Sequence, residues 1–510
     1  MTTSPAAPSL PQDATECRRI GHLHPCDWRN PAPAARYHLV VVGAGPAGLA
    51  AARLAAAAGA RVALVERAWI GGTSLNTGCV PSKALIRTAR LYADLRDAAH
   101  YGARVPDAAP PDFARAMERV RHLRARLAVD DSAQRLVAAG VDLFFGEARF
   151  AGTDRVRVDE TPLHFDKALI ATGARPDIPA IPGLAEAGYL THENVFDLAA
   201  LPPRLLVIGG GPLGCELAQA FCRLGAKTTL VQDRPLFLPR EERDAAQLLS
   251  DALARDGIAI RLNTLVTAVR GKDGARQVEM VSDNYRSVVE VDAILTGIGH
   301  VSNMEGLDLD RAEVACSQAS GVLVDDFLRT SNPRIYAAGD VCLEHKYAHA
   351  AVASARLAVR NALFRGRERY SRLVIPWCTF TDPEIAHVGL YVREANRRGI
   401  PVKTYTVPMH EIDRAVTDGE QDGFAKIHVQ GRGDRILGAT VVARHAGEMI
   451  NGITLAMEAG LGLGGLERVI HAYPTQAEAI RAAADAHRRS RLTARMRARL
   501  ARWLDDERLR

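Results

Sequence analysis

The chain has 510 residues, of which 47% are hydrophobic, enough for several packed cores and so for two to four domains. Its net charge of +6 is matched by the segment from His487 to Arg510 alone, nine arginines against Asp505, Asp506 and Glu507, so the rest is near neutral and a globally basic nucleic-acid binder is excluded. Eight scattered cysteines without a CxxC rule out a disulfide scaffold and a structural zinc site and fit a reducing cytoplasm, and no uninterrupted apolar run reaches the length of a membrane span.

Residues 1–36 are rich in Pro, Ala and polar side chains, with no apolar signal core, and read as a flexible extension. The first strand, Tyr37–Val42, runs into Gly43-x-Gly45-x-x-Gly48, a helix, and a second strand ending at Glu66. Gly43 permits the tight turn, Gly45 lets backbone approach a pyrophosphate, Gly48 lets helix pack on strand, and Glu66 can bind a ribose hydroxyl pair. Next comes "GGTSLNTGCVPSKALIR", with Ser74, Cys79 and Lys83. An Arg- and Ala-rich helical region follows from Leu91 to Val137, broken at the Pro-rich Pro106–Pro111.

The strand–turn–helix–strand pattern then recurs. Gly209-x-Gly211-x-x-Gly214 precedes a strand ending at Gln232, and the spacing of 23 residues equals that from Gly43 to Glu66. One such motif is weak evidence; two with equal spacing point to two dinucleotides, a flavin and a nicotinamide. Strand signals near Lys167 and in "TSNPRIYAAGDVC" return the chain to the first unit at Asp340. After "IPWCTFTDPEIAHVGL", strands and the helix-like "GEMINGITLAMEAG" suggest a terminal α+β layer. In the tail, Leu492, Met496, Leu500 and Trp503 have helical spacing; a helix docked on the body is favoured over peripheral contact with anionic lipid.

From about Tyr37 to Asp485 the sequence resembles the flavin-dependent pyridine nucleotide–disulfide oxidoreductases, and within them the mercuric-reductase-like branch. The resemblance implies an α/β fold of two Rossmann-like dinucleotide-binding domains, for FAD and NAD(P), one inserted in the other, plus a C-terminal α+β dimerisation domain. The expected segments are 1–36 extension, 37–177 FAD domain, 178–298 NAD(P) domain, 299–372 second FAD part, 373–486 dimerisation domain and 487–510 basic helix. It implies FAD contacts at Gly43, Gly45, Gly48, Glu66, Lys83, Gly146, Thr172, Gly173, Asp340 and Ala348. Nicotinamide contacts fall at Gly209, Gly211, Gly214, Gln232, Arg234, Val266 and Gly299. Lys83 would pair with Glu216 beside the flavin.

In the resembled family two cysteines share the helix after the first unit. Cys79 matches the one beside the flavin, and Ser74 stands where the exchanging thiol would be. A hydroxyl cannot close a disulfide, so dithiol cycling between these positions is excluded. Tyr473, in "IHAYPTQAE", stands where a histidine base is usual, with Glu478 at the position of its orienting glutamate. Tyrosine, with a reference pKa near 10, is a poor proton shuttle at neutral pH. The leading reading is an enzyme taking hydride from NADPH or NADH onto FAD and passing electrons to a small acceptor: a quinone, a metal ion, oxygen or a peroxide. It resembles mercuric reductase and dihydrolipoyl dehydrogenase but lacks their dithiol pair. Gln232 and Arg234 tilt the nicotinamide choice toward NADPH, while Asp233 opposes it. A flavin-bound regulatory protein without turnover is the alternative. No metal site, no nucleic acid and a cytoplasmic homodimer are expected.

Overall fold

The computed structural model describes residues 13–104, 111–272, 274–282 and 285–508. Residues 1–12, most of the Pro-rich break and the last two residues lie outside these. The chain divides into two compact units: one running to Phe237 and from Asp256 to Leu373, the other made of Leu238–Arg255 with Val374 onward.

The first unit holds two parallel sheets built on one plan. In the first, Tyr37–Val42 lies between Val62–Glu66 and the end of Thr161–Ile170, with Val141–Phe145 outside and Ile335–Ala337 beyond the return strand. These strands are near-continuous apolar runs because the sheet is covered on both faces. The helices Pro46–Ala57 and Ala348–Leu363 share one core with it, and an antiparallel meander extends Thr161–Ile170 on its other side. In the second sheet, Arg204–Ile208 lies between Lys227–Val231 and Ala293–Thr296, with Ala259–Arg261 outside. Each sheet therefore orders its strands third, second, first, return, the arrangement that opens a crevice at the carboxyl end of its first strand.

The N-terminal segment differs from the expectation of a flexible extension. Residues Ala14–Leu23 form a helix, capped by the Asp13 carboxylate on Glu16 N at 2.7 Å, and Leu23 is fully buried in the core of the first sheet. Beyond it, His24 stacks on Phe145 at 3.9 Å, and Asn30 exchanges two 2.8 Å hydrogen bonds with the Phe145 backbone. The Pro- and Ala-rich composition hid this because the anchoring groups are single polar and aromatic side chains without periodicity.

In the second unit, five antiparallel strands run Pro376–Thr379, Glu384–Gly389, Ile436–Ala443, Phe424–Gln430 and Val402–Pro408 across the sheet. Helices Ala446–Glu458 and Glu478–Arg491 bury apolar side chains against it. The tail is two helices rather than one, Glu478–Arg491 and Ala494–Arg508, parted at Leu492. It is not docked as expected: Met496, Leu500 and Trp503 are about half exposed. Among the described residues no helix is long and apolar enough to cross a membrane.

Candidate functional site

The two glycine turns are geometrically alike. A Cβ on Gly43, at φ +104°, would sit 2.4 Å from the Ala171 carbonyl oxygen, and one on Gly209, at φ +113°, 2.5 Å from that of Gly297. Gly48 and Gly214 press on the carbonyls of Gly43 and Gly209, where a Cβ would come within about 2 Å. Gly45 and Gly211 differ: the nearest protein atom to a Cβ lies 3.8 Å away for the first and 4.0 Å for the second. So the outer glycines serve the protein's own packing, and the middle ones leave room on the side where the helix presents free N–H groups.

The side chain that ends each second strand makes the same hydrogen bond in both repeats. Glu66 Oε2 accepts the Ala44 N–H at 2.8 Å, and Gln232 Oε1 accepts the Gly210 N–H at 2.7 Å. Glu66 further accepts from Ala68 N at 2.8 Å, and burial raises its pKa. Gln232 is neutral, buried, and donates to Asp233 at 3.0 Å; Asp233 and Arg234 beside it are exposed.

Cys79 opens the long helix Cys79–Asp97 as an exposed free thiol, and Ser74 sits half-buried in the short helix Gly72–Asn76 just before it. Lys83, one turn beyond Cys79, places its Nζ 2.8 Å from Glu216 Oε2 on the helix that follows the second glycine turn. Glu216 is nearly buried and Lys83 about one-third exposed, so the carboxylate holds the ammonium at the mouth of the site.

Asp340 closes the first crevice. Its Oδ1 is buried without a hydrogen-bond partner, and burial raises its pKa while Lys346 opposes the rise. Ala348 begins the helix Ala348–Leu363 just after it. A buried carboxylate oxygen lacking a donor, an open middle glycine and a free helix N-terminus together fit the hydroxyls and pyrophosphate of FAD. Thr172 and Gly173 form the loop after the return strand, tied to Asn303 at 2.7 and 3.0 Å. Gly146, at φ +146°, donates to the Glu66 carbonyl at 3.0 Å. Gly299, at φ +157°, follows the return strand Ala293–Thr296 of the second sheet as Gly173 follows that of the first. Val266 differs in kind: it is a buried side chain in the core under the meander Thr264–Val291.

Tyr473 and Glu478 belong to the second unit. Tyr473 is 71% exposed and donates to Asp413 Oδ2 at 2.9 Å, a bond that raises its pKa. Glu478 begins the helix Glu478–Arg491 and accepts from Thr475 N at 3.4 Å. Three groups escaped the sequence reading. Lys346 donates to the Asp340 carbonyl and to Ser302 Oγ, Asn303 braces the Thr172 loop, and Gly297 answers Ala171. Only Gly297 carried a signal, since aligning the two repeats pairs "ATG" with "GIG". Among the described residues no group of three or more His, Cys, Asp or Glu could hold a metal ion.

Twin dinucleotide cradles joined by a lysine–glutamate pair beside a helix-opening cysteine define a flavin- and nicotinamide-dependent oxidoreductase. Residues 37–356 match the family Pyridine nucleotide-disulphide oxidoreductase, and residues 375–484 match its dimerisation domain, so the chain belongs to this family. Its members use FAD and NAD(P)H, and the second match supports a homodimer. The chain is 32% identical to a mercuric reductase of Staphylococcus aureus over 88% of this chain and 82% of that one. It is 33% identical to a dihydrolipoyl dehydrogenase of Chlamydia muridarum, covering 87% and 95%. It also resembles the Cu(II) complex of the HOCl-induced flavoprotein disulfide reductase RclA from Escherichia coli, with a TM-score of 0.78 and 29% identity over 87% and 98% of the two chains.

Proposed function

We propose that this FAD-dependent NAD(P)H oxidoreductase delivers its electrons without a dithiol pair, to a small acceptor such as a quinone, a metal ion, oxygen or a peroxide. The observation that carries this reading is that a serine hydroxyl occupies position 74, in the short helix just before the one that the exposed Cys79 opens, in the unit that holds both dinucleotide cradles. An intramolecular disulfide needs two sulfurs, and the position that would supply the second has none. A metal ion suits a single exposed thiol, since thiolates bind soft cations; the mercuric reductase and the copper-bound RclA among the relatives support that member of the set.

Bound FAD supplies the two-electron chemistry. Gly45 and the first turn of the helix Pro46–Ala57 hold its pyrophosphate, Glu66 its adenosine ribose and Asp340 its ribityl hydroxyls, with Gly43, Gly48, Gly146, Thr172, Gly173 and Ala348 shaping the cradle. Gly209, Gly211, Gly214 and Gly299 would do the same for a nicotinamide dinucleotide, with Gln232 and Arg234 available to its adenosine end and Val266 packing the core behind the strand ends. Lys83, held by Glu216, presents a fixed positive charge one turn from Cys79. Gln232 does not repel a 2′-phosphate and Arg234 is free to meet it, which favours NADPH. Tyr473, kept a phenol by Asp413, donates a hydrogen bond but does not take a proton at neutral pH; with Glu478 it completes the site of a partner subunit. The cytoplasm is its compartment.

The test is anaerobic reduction of the purified yellow protein by NADPH and by NADH, followed by an acceptor screen. Rapid bleaching and turnover with a quinone or dye are expected, with negligible reduction of lipoamide or glutathione disulfide. Ser74→Cys should take up about two more electrons per chain yet gain little lipoamide reduction while Tyr473 remains. Strong lipoamide reduction by the unaltered protein would overturn the reading, and a tenfold preference for NADH would reverse the choice of nicotinamide.

A further inference from the structure

The N-terminal helix Ala14–Leu23 precedes the residues that match the family, yet it reaches the segment carrying Ser74 and Cys79. Its Arg19 is 1% exposed, and the guanidinium is used on three sides. Nε donates to Glu16 Oε1 at 2.8 Å, Nη1 donates to the Asn76 side-chain oxygen, and the plane lies 4.8 Å from the Trp69 ring centroid. Asn76 is the last residue of the short helix Gly72–Asn76, and it too is buried. Its side-chain nitrogen donates to the carbonyls of Ile70 at 3.0 Å and Gly72 at 2.9 Å, and its own carbonyl accepts from Arg124 Nη1 at 2.9 Å. Arg124, 2% exposed, lies 3.6 Å from Glu16 and 3.7 Å from Asp197. Two arginines and two acids thus balance in charge around one asparagine, in a place where an unpaired charge is costly.

From this we infer that Arg19, with Arg124, is a positioning residue for Cys79: through Asn76 it fixes the step between the two helices, a rigidity that a disulfide between positions 74 and 79 would otherwise give. Asn76 closes the short helix three residues before Cys79, so whatever holds Asn76 sets where the next helix starts. Chains with both thiols tie the two helices covalently in the oxidised form; with Ser74 that tie is absent, and a buried fork from outside the family domain takes its place. The forked guanidinium suits this because it meets Glu16 and Asn76 at once in fixed geometry. The importance of Cys79 rests on the function proposed above, whereas the brace itself is independent of it.

The experiment follows alkylation of Cys79 by iodoacetamide in the FAD-loaded protein, read by mass spectrometry, with the exposed Cys316 as internal control. In Arg19→Met, which keeps an unbranched side chain in the buried site but loses the charge and its donors, the Cys79 rate should rise about tenfold or more and the Cys316 rate should stay unchanged. The long-wavelength absorbance of a thiolate beside oxidised flavin should fall in parallel. Arg19→Lys, which keeps the charge near Glu16 but loses the fork, should give an intermediate rate. Should Arg19→Met not fold, Arg19→Lys decides, together with hydrogen–deuterium exchange of residues 70–80, which should quicken relative to wild type. A Cys79 rate within about twofold of wild type in the folded variants, or an equal rise at Cys316, would overturn the brace. Failure of both NADPH and NADH to reduce the bound flavin of the wild-type protein would sink the proposed function and leave the alkylation result standing.

Discussion

At the scale of single residues, the three glycines of each cradle divide their work, and the division can be tested. Gly48→Ala puts a methyl within 2 Å of the Gly43 carbonyl and should unfold or strongly destabilise the first unit. Gly45→Val meets no protein atom closer than 3.8 Å at its Cβ, so the fold should survive while the side chain fills the space a pyrophosphate needs. Visible absorbance and circular dichroism should therefore separate the two: a folded, colourless protein for Gly45→Val, little folded protein for Gly48→Ala. A yellow Gly45→Val protein would move the FAD away from this turn. The contrast between Glu66 and Gln232 is of the same kind. Both side chains accept the same backbone N–H in their repeats, but only the first also offers a charge.

At the scale of elements, the two glycine units were legible because strand, turn and helix periodicity coincide with a motif that the backbone itself requires. The pairing of Lys83 with Glu216 was reachable only through resemblance, since 133 residues separate them. The N-terminal helix was not legible: its buried residues are Glu16 and Arg19 beside Thr15 and Leu23, a charge pair that reads as solvated in sequence. The polar side of the antiparallel sheet was equally silent. His387 is fully buried there, stacked on Tyr391 with centroids 3.6 Å apart and bonded to Thr440 Oγ1 at 2.8 Å. Burial pushes its pKa down to about 3. The folded state then binds fewer protons than the unfolded state, whose histidine has the usual value near 6.5. Its stabilising contribution is complete above pH 6.5 and falls as pH drops toward 3, by about 1.4 kcal/mol per unit at most. Glu242, held down to about 2 by His428 and Lys426 against the cost of burial, adds a loss of the same sign below about pH 4.5. Melting temperature should decline between pH 6.5 and 5, and His387→Gln should lower it at pH 7.5 while flattening that decline. An unchanged slope in the variant would assign the acid sensitivity to other groups.

At the scale of the whole molecule, the second unit leaves large apolar side chains uncovered in one stretch of sequence. Leu455 is 71% exposed and Ile470 91%, with Tyr473 close behind Ile470 in the chain. Exposed side chains of this kind, in a segment matching a dimerisation domain, are expected to be covered by a second copy. A twofold interface is self-complementary, so one charge placed at its centre acts twice. Ile470→Glu should therefore shift the particle from about 110 kDa, two chains of 55.0 kDa, toward one chain, as light scattering would read. FAD should remain bound, because the cradle of Gly43, Glu66 and Asp340 lies wholly within the first unit. Turnover per chain should fall with the dimer fraction, and dilution of the wild-type protein should trace the same relation, if Tyr473 and Glu478 complete the partner's site. A monomeric Ile470→Glu protein with undiminished turnover would remove the shared site and leave each chain a self-sufficient oxidoreductase. Mixing Cys79→Ser chains with Glu478→Ala chains sharpens the result. A shared site gives mixed dimers one centre with both residues intact, so activity should reappear on mixing, whereas unshared sites would give only the average of the parents.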